Sequence, residues 1–337
     1  MTQSSIQQGS VIGVDIGGTK VAVGMVDASG KILAQLRKPM AANDGAEAGF
    51  KAVTSAIDSL LAGEAANPRA QVNAIGICAP GPLDPKSGVV LNPPNLPCWR
   101  SFPLAERVAA IYNVPVKVDN DANAAALAET IWGAARGYRY VFYATVGTGI
   151  GTGIVLDGRI YHGHTGAAGE GGHVTIDYRG PLCPCGKRGC IEVLAAGPAI
   201  ALRARARVAA EPARGSALLS SGLLSLAAGK ADAVTSEMVG KAYAAGDALA
   251  REILQETAEL LTVWLGNIVD LFDPDVLVVG GGVAGMLNPF FAEIKRLLPS
   301  WCVNPRASEI PLVLAHYGAD AGIAGGAALF RRAGSRK

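Results

Sequence analysis

Short apolar runs closed by turn residues dominate the opening of the chain. Residues 11–15, 21–26 and 31–36 are rich in apolar side chains; Gly17, Gly18, Thr19 and Lys20 separate the first two runs, and Asp-Ala-Ser-Gly at 27–30 separates the next two. This punctuation predicts a meander of three strands. From 46 to 62 the apolar positions, including Phe50, Val53, Ile57, Leu60 and Leu61, recur at helical spacing and predict a helix. Strands are expected at 72–78, 88–91 and 114–118, and helices at 103–112 and 124–132, with proline-bearing connectors at 79–85 and 92–99. The opening pattern then recurs: strand 140–146, glycine turn 147–153, strand 154–156 and a turn at 157–159. Two such hairpins far apart predict two related lobes facing a shared cleft. Neither shows the strand, turn and long helix of a dinucleotide-binding unit, which argues against hydride chemistry. From 198 to 269 the chain reads as several helices with a looser polar section at 211–221. One helical stretch is expected to run from 234 to near 269 through Gly246 and Asp247. A strand at 276–279, a third glycine cluster at 280–282, an apolar segment at 283–286, a helix at 289–298, a strand at 310–315 and a helix at 322–332 complete the pattern.

Composition narrows the function classes. With 337 residues and half of them hydrophobic, the chain can bury a large core in two domains. A net charge of +2 gives no bulk reason to expect nucleic acid as a partner. Arg203, Arg205 and Arg207 read as one solvated helix face. Residues 1–10 are polar with no apolar signal region, and no apolar run is long enough to span a bilayer. The expectation is therefore a cytoplasmic protein without a membrane partner, its thiols free or metal-bound.

Candidate chemistry sits at the breaks between elements. Cys183, Cys185 and Cys190 lie within eight residues, and His173 stands ten residues upstream. Three thiolates and an imidazole make a closed tetrahedral set suited to structural Zn²⁺; incidental buried cysteines or a disulfide with one thiol left over are the alternatives. Glu170 and Glu192, at the two ends of this stretch, have no role in a zinc loop as such. The turns at Gly17, Gly18 and Thr19 and at Gly147, Thr148 and Gly149 could bring backbone amides to phosphates, with Asp15 holding a metal ion; a plain tight hairpin is the alternative. Gly281 and Gly282 form a third candidate nucleotide contact. Asp-Asn-Asp-Ala-Asn at 119–123 lies at a strand end, where open α/β sheets bind ligands, although Asn120 or Asp121 could simply cap the following helix.

Taken together, DIGGTK at 15–20, NDANAAALAE at 120–129, GTGIGTGIV at 147–155, AGEGGH at 168–173 and CPCGKRGCIE at 183–192 resemble the ROK family of sugar kinases and regulators. Their order and gaps match as well, over nearly the whole of 11–329. The resemblance implies an α/β, actin-like ATPase (ribonuclease H-like) fold of two lobes with an interlobe cleft: a small lobe of 1–119 plus 320–337 and a large lobe of 120–319 carrying the zinc loop and the helical segment. It implies Asp121 as catalytic base, and Asn120, Glu170, His173 and Glu192, with Gly81 and Asn95 of the proline-rich loops, as sugar contacts. His173, Cys183, Cys185 and Cys190 would ligate structural Zn²⁺, and Asp15, Gly17, Gly18, Thr19, Lys20, Gly147, Thr148, Gly149, Gly281 and Gly282 would hold ATP and Mg²⁺. The implied activity is transfer of the ATP γ-phosphoryl group to a hexose, glucose above all, by a homodimer. Fructose and N-acetylhexosamines are the alternative acceptors. A sugar-responsive repressor needs a winged DNA-binding domain, and the ten polar residues before the first strand are too few for one.

Overall fold

The structure, a computed structural model, describes residues 9–64, 72–210 and 222–332. The start of the polar opening, 1–8, and the polar section 211–221 lie outside the described residues. The predicted meander is present as β1 (Ser10–Ile16), β2 (Lys20–Val26) and β3 (Ile32–Pro39), paired antiparallel with Gly13 opposite Gly24 and Val23 opposite Leu36. Then come α1 (Ala46–Glu64), β4 (Val72–Ala79), a small ribbon of β5 (Leu83–Asp84) and β6 (Val89–Val90), α2 (Leu104–Tyr112) and β7 (Val116–Asn120). β4 runs parallel to β1, and β7 parallel to β4, giving the sheet order β3-β2-β1-β4-β7.

Burial explains the sequence of this sheet. β1, β2 and β4 are apolar on nearly every residue because both faces are covered, whereas the edge strand β3 alternates. Val53, Ile57 and Leu60 of α1 and Leu104 and Val108 of α2 join Ile12, Val14, Val23, Ile75 and Ile77 in one core.

The chain continues with α3 (Asp121–Ile131), β8 (Tyr140–Val146), β9 (Ile150–Leu156), β10 (Arg159–Ile160), α4 (Ile191–Ala195), α5 (Gly197–Ala210), α6 (Gly222–Leu226), α7 (Ser236–Ala244) and α8 (Ala248–Phe272). It closes with β11 (Val276–Gly280), α9 (Ala284–Leu287), α10 (Phe291–Leu297), β12 (Leu312–Leu314) and α11 (Ala321–Ala328). The second sheet has the order β10-β9-β8-β11-β12, the same scheme as the first: three consecutive strands, then two that follow intervening helices. α11, built only of alanine, glycine and one isoleucine, lies on β1, β4 and α3. A Cβ at Gly13 or Gly76 would overlap the carbonyl of Ile323 or Gly326, so these strand glycines let helix backbone approach sheet backbone directly.

By contact density the chain forms two compact units: Met1–Tyr143 with Gly153–Gly169 and Ala315–Lys337, and Ala144–Thr152 with Glu170–Leu314. In the second unit the long helix α8 packs on α4, α5, α7 and α10. Among the described residues no helix is long and apolar enough to cross a membrane.

Several boundaries differ from the sequence expectations. α3 starts at Asp121 rather than 124 because the Asn120 side chain caps it, accepting from the N–H groups of Ala122 (3.0 Å) and Asn123 (3.3 Å). The expected turn 147–153 is a turn only at its start, since β9 already begins at Ile150. The expected continuous helix from 234 is interrupted: Gly246 takes φ +87° and the Asp247 carboxylate accepts from Ala250 N–H at 2.8 Å, starting α8 anew. β12 and α11 are shorter than expected.

The arginines of α5 do not form a solvated face. Arg203 donates to Leu194 O and to Thr257 Oγ1, Arg205 to Val234 O (2.9 Å), and Arg207 pairs with Glu252 and Glu256 (3.2 and 2.8 Å). They tie α5 to α8 and to the segment before α7.

Candidate functional site

In the first unit the nominated residues gather at one end of the first sheet. Asp15, next to last in β1, and Asp121, first in α3, are close enough that their charges interact. Burial first, and then Asp121, push the Asp15 carboxyl up to about 6, against the weaker opposing pull of Lys20 and Arg37. Two carboxylates held together in this way favour a cation between them. The turn between β1 and β2 is closed by the Gly17 N–H donating to Lys20 O at 2.9 Å, and the Thr19 carbonyl accepts from Met40 N–H at 3.0 Å. Gly18 passes so close to the 92–99 loop that a Cβ there would stand 2.7 Å from Asn95 O. That loop is anchored by fully buried Leu96 and Trp99, the Trp99 ring stacking on Phe102 at 4.9 Å between centroids and its Nε1–H donating to Ala46 O at 3.2 Å. Asn95 stays exposed above this anchor. Gly81, next to Pro82, lies with its Cβ direction 3.8 Å from Asn120 Nδ2. Asn120 Oδ1 caps α3, as one of the two readings of this residue expects, and its Nδ2 faces Gly81. Asp121 Oδ1 accepts from Ala122 N–H at 2.8 Å.

Sequence reasoning missed one residue here. Gly322, at the start of α11, has no room for a side chain, because a Cβ would overlap the Asp15 carboxyl group. Its signal was the glycine-rich segment 318–326, but its pairing with Asp15 spans some three hundred positions.

In the second unit, Gly147, Thr148 and Gly282 line one cavity of about 630 Å³ together with Gly197, Arg205, Thr235, Glu237, Val283 and Met286. No atom lies within 4 Å of the Cβ direction of Gly147 or of Gly282, so both present open backbone. Gly281 does not line this cavity; at φ +89° it packs under the Val146 carbonyl, which accepts from Val283 N–H at 2.9 Å. The size and the mixed apolar and polar lining are those of a site for a small organic molecule. Arg205, Glu237 and Met286 also line it, and no local pattern in the sequence marks them for this site.

The zinc candidate is the most fully specified site. A ring nitrogen of His173 and the sulfurs of Cys183, Cys185 and Cys190 all lie within 4.8 Å of one another. Cys183 Sγ is 3.6 Å from His173 Nδ1, and Cys185 Sγ is 3.6 Å from Cys190 Sγ. Metal–sulfur bonds of about 2.3 Å and a metal–nitrogen bond of about 2.0 Å in a tetrahedron require edges of roughly 3.5–3.8 Å, and these two pairs stand at that spacing. Burial and the neighbouring sulfurs push the Cys190 thiol up to about 12, while the backbone N–H of Lys187 lowers Cys185. A cation among these sulfurs would favour their ionised forms. All six cysteines are free thiols.

The loop is positioned from both sides. Cys183 N–H donates to Lys187 O (2.7 Å), Ile191 N–H to Val174 O (3.0 Å), and the 171–173 turn is held by Thr152 Oγ1, which accepts from Gly171 N–H (2.9 Å), and by buried Trp264, which donates to Gly171 O (3.0 Å). Thr152 and Trp264 were not foreseen. Glu192 Oε2 accepts from Ile150 N–H at 2.9 Å and lies against Gly149, while its Oε1 is 4.0 Å from His173 Nδ1. Glu192 thus links the zinc loop to the 147–149 turn. Glu170 is exposed, and its carbonyl accepts from His173 N–H at 3.0 Å.

The ROK family model matches residues 11–333 of this chain. A glucokinase of Streptomyces coelicolor is 36% identical over 327 residues, covering 96% of this chain and 98% of the relative. An N-acetylmannosamine kinase of Escherichia fergusonii is 30% identical over 320 residues, covering 95% of this chain and 98% of the relative. The crystal structure of a ROK family glucokinase from Streptomyces griseus, in complex with glucose and AMPPNP, matches with a TM-score of 0.79 at 34% identity, over 95% of this chain and 99% of that chain.

Proposed function

We propose, because this chain belongs to the ROK family, that it is an ATP-dependent hexose kinase whose acceptor is glucose. The observation that carries the chemistry is the carboxylate pair of Asp15 and Asp121 at the end of the first sheet. Phosphoryl transfer asks for alignment and charge neutralisation more than for covalent help. Asp121 takes the proton from the sugar O6 hydroxyl as the O6–P bond forms and the bond between the γ-phosphorus and the bridging oxygen breaks, releasing ADP. Asp121 begins α3, where the helix dipole favours the ionised carboxylate. Bound Mg²⁺ supplies charge neutralisation at the phosphates, and Asp15 is the residue assigned to hold it. Lys20 and the backbone N–H groups of Gly17, Gly18, Thr19, Gly147, Thr148 and Gly149 are assigned to the phosphates, Gly281 supporting and Gly282 lining the nucleotide cavity. Gly81, Asn95, Asn120, Glu170, His173 and Glu192 are assigned to the sugar, whose hydroxyls need paired partners once dehydrated. His173 would hold the metal through Nδ1, leaving Nε2 for a hydroxyl. The role assigned to zinc is to hold His173 and the chain leading to Glu192 in place.

The same reading places the protein in the cytoplasm as a homodimer. That none of the six cysteines is in a disulfide supports the first, and the exposed Leu271, Trp301 and Val303 (72%, 52% and 90% accessible) support the second. An N-acetylmannosamine acceptor is the second reading, supported by the relative of that name. A coupled ADP-release assay across glucose, mannose, fructose, N-acetylglucosamine and N-acetylmannosamine tests both. Glucose is expected to give the highest kcat/KM; preference for an N-acetylated sugar selects the second reading, and no ADP release with any of them contradicts the kinase.

A further inference from the structure

A separate cavity of about 410 Å³ lies in the first unit beside β7 and β10, the edge strands of the two sheets, and contains none of the residues assigned above to sugar, nucleotide or metal. Its charged lining includes Lys86, Lys117, Arg159 and His162 against Asp84 and Asp119. Both carboxylates are already fully engaged. Asp84 accepts from Lys86 N–H (3.0 Å) and Ser87 Oγ–H (2.6 Å). Buried Asp119 accepts from Asn120 N–H (2.8 Å) and Asn123 Nδ2 (3.3 Å) and meets His162 Nε2 at 2.7 Å. The cations are not so engaged: Lys117 gives one of its three donors to Leu329 O (2.7 Å), and Lys86 and Arg159 make no side-chain hydrogen bond or ion pair among the described residues. The Asp119 hydrogen bond raises the His162 pKa, which favours a ring with a proton on both nitrogens. Burial lowers Lys117, a cost that a bound anion would offset.

We propose that this cavity is a second ligand site, taking a small molecule that carries a phosphate group, with Lys86 and Arg159 as its principal anion contacts. The volume falls in the range of small-molecule sites, and a cation-rich lining whose acids are internally satisfied selects an acceptor-rich, doubly charged group. Apolar Val118, Ile160 and Leu329 leave room for a carbon skeleton beside the phosphate.

The test is isothermal titration of inorganic phosphate, and separately of glucose 6-phosphate, into the full chain with and without saturating glucose plus AMPPNP. The expected result is an isotherm for at least one probe that persists with glucose and AMPPNP present and weakens about tenfold or more in Lys86→Ala/Arg159→Ala, from the loss of charge-assisted contacts. Tighter binding of glucose 6-phosphate identifies a sugar phosphate as the ligand class, and equal binding identifies the bare phosphate group; both support the site. No isotherm, an isotherm abolished by glucose plus AMPPNP, or unchanged binding by the double variant overturns it. Both substituted side chains are exposed, so the fold is retained. No turnover is read, so failure of the kinase assignment would be seen separately, in the ADP-release assay.

Discussion

Glu129 offers a quantitative test of how the first unit is held together. It is fully buried (0% accessible), yet its carboxylate accepts three backbone N–H groups: His316 (2.8 Å) and Tyr317 (3.0 Å) at Oε1, and Ala134 (2.7 Å) at Oε2. Two of these donors belong to the segment leading into α11, so one side chain near the end of α3 fixes the approach of the helix that carries Gly322. Glu129→Gln keeps the size but turns one acceptor into a donor. With its oxygen kept toward His316 and Tyr317, its amide faces the Ala134 N–H, donor against donor; flipped, it loses two bonds instead of one. Leaving one buried N–H unsatisfied and losing one charge-assisted bond costs about 2–3 kcal/mol. With a urea slope of about 3 kcal/mol/M, the unfolding midpoint falls by roughly 0.7–1 M at unchanged slope. Urea titration followed by circular dichroism reads this directly. A Glu129→Gln midpoint equal to wild type would refute the role of this side chain as a triple acceptor.

Other consequences are equally concrete. Elemental analysis of the purified chain should find one zinc per chain, and Cys183→Ser should lower that stoichiometry and raise the KM for sugar more than that for ATP; a metal-free, fully active wild type would overturn the ligand set. Asp15, raised to about 6 from an ordinary value near 3.8, must be ionised to hold a cation, so activity should fall as pH drops through about 6, and added Mg²⁺ should move that limb to lower pH. The sign for stability is opposite: a carboxylate with a raised folded pKa binds its proton more tightly in the folded state. Without Mg²⁺ the chain should lose on the order of 3 kcal/mol as pH rises from below 4 to above 6, and a metal-free stability profile flat over that range would contradict the burial argument. Gly322→Ala places a methyl group on the Asp15 carboxyl and should reduce kcat by about tenfold or more, because misplacing a charge-bearing group by an ångström is enough to do so. Wild-type kcat for a folded Gly322→Ala chain would contradict that contact.

What could be read from the sequence was what depends on near neighbours. The opening meander and α1 follow from runs and spacing, and the zinc candidate is legible because Cys183, Cys185 and Cys190 are nearly consecutive. The sequence pattern starts α3 three residues late because Asn120 ends a strand and caps a helix at once, so the polar run hides the boundary. The α5 arginines fail to share a face for a geometric reason. At about 100° per residue, Arg205 points away from Arg203 and Arg207, so the three side chains cannot share one face and each finds its own partner. Contacts such as Gly322 with Asp15, Glu129 with His316, and Trp264 with Gly171 are made by tertiary packing, and no local pattern announces them.

The central claim is that Asp121 is the base of a hexose phosphoryl transfer, and the most direct test is paired measurement of turnover and glucose binding in wild type and Asp121→Asn. Wild type should release ADP with glucose. Asp121→Asn should bind glucose with a Kd close to wild type and lose turnover by about a hundredfold to ten-thousandfold, the range for removal of a general base. Turnover by Asp121→Asn comparable to wild type would contradict the account.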